Sequence, residues 1–125
     1  MFVRKSVILV VLILAGLVCV CAADITGKWT AEFESQIGPQ KYIFEFKADG
    51  ANLTGMAISN INGEEEKTPI TEGKINGNEI TFVENLNYQG MELRIVYQGT
   101  VSGDEIQLAR IEGGGNEKFV AKRAK

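Results

Sequence analysis

Gly73-Lys74-Ile75-Asn76-Gly77-Asn78-Glu79-Ile80 returns a few strands later as Gly99-Thr100-Val101-Ser102-Gly103-Asp104-Glu105-Ile106, and Lys47-Ala48-Asp49-Gly50-Ala51-Asn52-Leu53 is a looser relative. Each copy places Gly beside Asn or Asp, between short runs rich in β-branched and apolar residues. Gly supplies the positive φ that tight hairpin turns require, and Asn and Asp tolerate it. The repeat therefore reads as a recurring strand–turn–strand unit. With so few copies it points to a meander and not a solenoid.

Working outward, the same alternation fills the chain after Asp24, and no helical period persists for three turns. The runs predict eight strands at 25–34, 41–47, 52–60, 68–75, 79–86, 91–101, 105–111 and 118–123. Between them stand Asn62-Gly63, Gly90, Gly113-Gly114-Gly115 and the repeat turns. Most runs are apolar on one face only: Trp29, Ala31 and Phe33; Tyr42, Phe44 and Phe46; Ile80 and Phe82; Met91 through Val101 at every second residue; Phe119 and Ala121. One-sided strands of this number predict an all-β, eight-stranded antiparallel up-and-down barrel, whose closure leaves no exposed edge.

Residues 1–23 carry Arg4 and Lys5 ahead of an apolar stretch that ends Cys21-Ala22-Ala23. That is the pattern of a secretory signal peptide cut before Asp24, leaving 24–125 as one domain. An uncleaved anchor is the alternative. Of the 125 residues, 13 are basic and 16 acidic; without Arg4 and Lys5 the balance is 11 to 16, a net −5. This acidity disfavours nucleic acid and anionic membrane as partners. A periplasmic or extracellular monomer is expected.

The chain has no His, and both of its cysteines, Cys19 and Cys21, fall in the leader. A Ser-His-Asp or Cys-His nucleophile and an ordinary zinc, copper or haem site are excluded, and no cofactor or metal is expected. Glu64-Glu65-Glu66, placed in a loop, lacks the spacing of a calcium loop and reads as a solvated charge run. Asn52-Leu53-Thr54 fits the glycosylation pattern but sits at a strand start.

Alternation carries Glu84 inward beyond Ile80 and Phe82, and Arg110 inward beyond Ile106 and Leu108. Interior charges require partners, so the two read as a structural ion pair or as a polar floor beneath a ligand with a carboxylate or hydroxyl group. Tyr42, Ser59, Thr71 and Tyr97 are the further candidate ligand-binding groups. A glycosidase would need a second inward acid, with Glu32 and Glu72 the remaining choices. Tyr88 is placed at a barrel mouth, free to stack on a ligand or to pack down.

Asp24-Ile25-Thr26-Gly27-Lys28-Trp29 resembles the Gly-x-Trp opening of the calycin superfamily, which includes lipocalins and avidins, and residues 48–55 look like the second hairpin of bacterial avidins. The resemblance implies a lipocalin-like barrel with Trp29 plugging the floor and a basic residue packed over it. Arg110 and Arg123 are the candidates for that residue. Avidins line their pocket with several tryptophans, whereas this chain has only Trp29, and Ala57 stands where an aromatic precedes Ser59; biotin is not expected. The chain is also similar to small secreted bacterial proteins with Gly-Lys-Trp-Thr and Gly-Pro-Gln-Lys-Tyr segments, some labelled as glycoside hydrolase accessory parts. These readings lead to an exported, non-catalytic barrel that binds a small, partly apolar molecule in its lumen. The alternatives are a carbohydrate-associated module or minor glycoside hydrolase, and an envelope interaction protein without a small ligand. Intact-mass measurement of the exported protein should give a chain starting at Asp24; a membrane-bound product retaining residues 1–23 would establish the anchor instead.

Overall fold

The computed structural model describes residues 24–113 and 116–124. The leader and its cleavage or anchoring, Gly114 and Gly115 of the last turn, and Lys125 lie outside those residues. Eight strands run in order: β1 Gly27–Ser35, β2 Gly38–Asp49, β3 Asn52–Ile61, β4 Glu64–Asn76, β5 Glu79–Tyr88, β6 Met91–Ser102, β7 Glu105–Glu112 and β8 Lys118–Arg123. Each pairs antiparallel with the next, and β1 pairs with β8, closing an up-and-down barrel. Among the described residues there is no helix.

The repeat has a structural counterpart at one end, here the base. In its three turns Gly50, Gly77 and Gly103 hold φ at 63, 65 and 62°. The residue after each glycine then offers its carbonyl to a strand beyond its own hairpin: Ile75 N–H donates to Ala51 O, Val101 N–H to Asn78 O and Arg123 N–H to Asp104 O, at 2.7–2.9 Å. The turn sequence recurs because one lacing bond recurs. It satisfies backbone groups that a simple hairpin would leave to solvent.

The sheet closes beside that lacing, at Trp29↔Arg123 and Thr30↔Lys122. Trp29 is fully buried and donates its indole N–H to Ile25 O at 2.9 Å. The Arg123 guanidinium lies 4.4 Å from the Trp29 ring centroid and is held by Asp104 Oδ1 at 3.0 Å and by the carbonyls of Thr26 and Asp24. Of the two arginines considered for this floor, Arg123 occupies it. Arg110 lies elsewhere.

Above the floor the interior is filled. Tyr42 stacks on Phe44 at 5.2 Å, Phe44 on Phe46 at 5.5 Å and Phe82 on Tyr97 at 4.7 Å. Phe33 stacks on Phe119 at 4.1 Å. An eight-stranded barrel is only wide enough for such side chains or one modest ligand, and here rings occupy the space.

Three sequence-based expectations are corrected. β2 starts at Gly38, which brings Gln40 into a strand and, by parity with Tyr42, onto the inner face. Glu64-Glu65-Glu66 lies in β4 and not in a loop: Asn62 and Gly63, at φ 53 and 88°, form a two-residue type I′ turn, so pairing resumes at Ile61↔Glu64. Thr71 points outward and is exposed, while Ile70 faces the core. The cause is a register shift between Thr71 and Lys74, with Glu72 at φ 53°. Such a bulge adds a residue and reverses the alternation counted back from Ile75.

Glycine is required for different reasons at two places. A Cβ on Gly55, at φ 147°, would stand 1.8 Å from Glu45 O, whereas one on Gly63 would meet nothing within 4 Å. Gly63→Ala should therefore cost about 1 kcal/mol through φ alone, and Gly55→Ala roughly twice that or more because β2 must also move. Equilibrium urea unfolding of the two variants checks the order.

Candidate functional site

Four inward side chains from four strands meet toward the other end, the mouth: Tyr42 of β2, Glu84 of β5, Tyr97 of β6 and Arg110 of β7. Glu84 is 0% exposed and Arg110 3%. Their closest approach is 4.0 Å, and the two phenols bridge them. Tyr97 donates to Glu84 Oε1 at 2.7 Å and Tyr42 to Oε2 at 2.9 Å. Arg110 Nη2 donates to both phenol oxygens at 2.8 Å, and Nε donates to Tyr97 at 3.0 Å. Each hydroxyl thus gives its single proton to the carboxylate and accepts from the guanidinium. The rings of Phe33, Tyr42 and Tyr97 lie within 4.7–5.3 Å of the guanidinium carbon.

Burial shifts these groups. Desolvation pushes the Glu84 carboxyl above its ordinary value, against the opposing effects of Tyr97, Arg110 and Tyr42. Desolvation and the neighbouring Glu84 raise both phenols. For Arg110 burial acts against the charge, but Tyr97, Tyr42 and Glu84 outweigh it and its pKa is raised. The guanidinium stays charged.

Of the residues singled out from sequence, Tyr42, Glu84, Tyr97 and Arg110 come together. Ser59 is buried beside Tyr42 in the β2–β3 register, but its hydroxyl makes only a 3.5 Å contact to Glu66 O. Thr71 is outside the barrel. Glu32 and Glu72 are exposed, Glu72 being paired with Arg94 at 2.9 Å, so neither shares the interior with Glu84. Tyr88 packs against the core, its hydroxyl accepting from Asn62 at 3.3 Å and from Gln89 at 3.4 Å. Among the described residues no cluster of His, Cys, Asp or Glu is arranged to hold a metal ion.

Immediately above the network is a cleft of about 150 Å³, walled by Leu86, Leu93 and Ile95 and reached by Gln40, Arg110 and Glu117. Sequence reasoning passed over Gln40, which lies before the predicted second strand, and Glu117, which follows the Gly-rich turn. Within these two residues the oxygens Gln40 Oε1 and Glu117 Oε1 are buried away from the cleft surface and have no hydrogen-bond partner among the described residues. Parity with Tyr42 was the one signal that could have found Gln40.

Comparison with protein families, with curated proteins and with solved structures finds no match in any of the three. Fold and site together define a small closed β-barrel with a filled interior, a sealed base and a polar mouth.

Replacing Glu84 by Gln sets an amide NH2 against one of the two buried phenol donors, and unfolding should become easier by about 2 kcal/mol. The pH dependence has a definite sign. Folded Glu84 holds its proton more tightly than the unfolded chain does, so its contribution is complete below the ordinary value of 4.5 and is lost as pH rises through the raised one. Urea midpoints measured from acid to neutral pH should show that decline in the native protein and lack it in the Glu84→Gln variant.

Proposed function

We propose that this chain is an exported, non-catalytic barrel that binds a small, partly apolar molecule at its mouth and not in its lumen. The observation that carries the reading is the apolar-walled cleft at the mouth, with Gln40, Arg110 and Glu117 as its few polar lining residues. A concave, mostly apolar cleft with a few convergent polar groups is the usual form of a small-molecule site. The four-residue network serves as the cleft's floor: its phenol protons and Arg110 Nε and Nη2 are used within it, Arg110 Nη1 lies toward Glu117 at 3.7 Å, and Glu84 is fully buried. The closed barrel, the Gly-x-Trp opening and Arg123 over Trp29 support a place among calycin-like barrels.

Carbohydrate binding by stacking is less well supported, because among the described residues no aromatic side chain is exposed. A second reading, an envelope protein that binds another protein, draws support from the ring-filled interior.

A thermal-shift panel separates these readings. Fragment-sized ligands should stabilise the protein by about 1.4 kcal/mol at ten times their dissociation constant, which is a shift of several degrees for a domain of this size. Fatty acids, tetrapyrroles and oligosaccharides, all too large for the cleft, should give none. A panel silent for every class would transfer the weight to the protein-partner reading.

A further inference from the structure

The polar groups around the mouth cleft differ in what they have left to offer. Gln40 Oε1 and Glu117 Oε1 are buried away from its surface. The Ser35 hydroxyl donates to Gly38 O at 2.9 Å, and its oxygen accepts from Gln40 Nε2 at 2.7 Å and from Ile37 N–H at 3.3 Å, so it too is spent. Arg110 differs. Its Nε donates to Tyr97, and its Nη2 donates to Tyr42 and Tyr97. Nη1 donates to nothing among the described residues, because Glu117 Oε1 stands 3.7 Å away, beyond hydrogen-bond length. Two N–H groups of a guanidinium that lines an apolar-walled cleft are therefore left for a ligand.

The charge of that guanidinium is already balanced. Glu117 lies 3.7 Å from it on the cleft side and Glu84 4.0 Å from it on the inner side. A ligand carboxylate would be a third acid around one guanidinium, set against Glu117. A ligand ammonium would oppose Arg110, whose acid partner at the cleft is already engaged. A neutral carbonyl oxygen meets neither obstacle: it accepts from Nη1 in a charge-assisted hydrogen bond and brings no charge of its own. The walls of Leu86, Leu93 and Ile95 enclose about 150 Å³, the size of cavity that holds a six-carbon ring.

We propose that the mouth cleft takes small neutral molecules whose carbonyl oxygen, of a ketone or an amide, accepts from Arg110 Nη1 while a ring-sized apolar body packs against Leu86, Leu93 and Ile95. The proposal rests on the reading of the mouth as a ligand site. It makes Glu117 a selectivity residue, one that turns carboxylates away although a guanidinium lines the cleft.

Titration of isotope-labelled protein with cyclopentanone, cyclopentanecarboxylate and cyclopentylammonium tests it by NMR. Cyclopentanone should move the Arg110 guanidinium signals together with the amides of Leu93, Ile95 and Glu117, saturably and with roughly tenfold higher affinity than either ion. Glu117→Gln, with a spectrum otherwise native, should let cyclopentanecarboxylate bind at least as tightly as the ketone, since one of the two acids beside Arg110 is gone. Either ion binding the native protein at these residues as tightly as cyclopentanone would overturn the carbonyl preference and leave the mouth site standing. Cyclopentanone that moved the cleft amides but not the guanidinium would overturn the contact with Nη1, and an unchanged preference in Glu117→Gln would overturn the role given to that acid. No shift at the cleft with any of the probes would overturn the proposal as a whole. A positive thermal-shift panel in that last case would still sustain a mouth ligand of another class.

Discussion

Arg110 is a guanidinium enclosed by the barrel, and the arrangement around it follows from how its charge is accommodated. An unpaired charge at such a depth is prohibitive, and direct contact with Glu84 is replaced by two phenols that accept from one and donate to the other. Because its four members come from β2, β5, β6 and β7, the network ties the two sides of the barrel together at one level. A slip of one residue in any of those strands would turn its member to the outer face and leave the others unsatisfied. The network therefore acts on register as well as on stability.

That level also divides the molecule. Below it, rings from Tyr42 to Phe46 and from Phe82 to Tyr97 fill the lumen, down to Trp29 and the Arg123 that covers it. The base is closed by the chain's own groups: turn carbonyls laced to neighbouring strands, an indole bonded to Ile25 and a guanidinium bonded to Asp104. Above it, the apolar-walled cleft lies where the β1–β2 turn and the segment before β8 approach each other. One end has its hydrogen bonds completed internally and the other does not. The proposed function belongs to the incomplete end.

Much of this could be read from the residues alone. Alternation identified the inward faces of β1, β2, β5, β6 and β8, the inward pair Glu84 and Arg110, and the two tyrosines that join them. The Gly-containing repeat marked the base turns, because a positive φ has few chemical solutions. The errors have a common character. Thr71 stands outside because the bulge at Glu72 reverses parity along β4, and the β4 start at Glu64 is hidden because a run of three acids looks like a loop when its partner strand is unknown.

The sequence by itself determined the all-β class, the strand order and which side of most strands is apolar, since side-chain alternation and turn chemistry are local properties. Only the tertiary structure decided that Arg123 and not Arg110 covers Trp29, that two phenols stand between Glu84 and Arg110, and that Gln40 and Glu117 face one cleft. Those facts depend on the register with which distant strands meet when the sheet closes, and on where a bulge resets their parity. Closure is a property of the whole sheet, and it brings together residues as far apart in the chain as Tyr42 and Arg110.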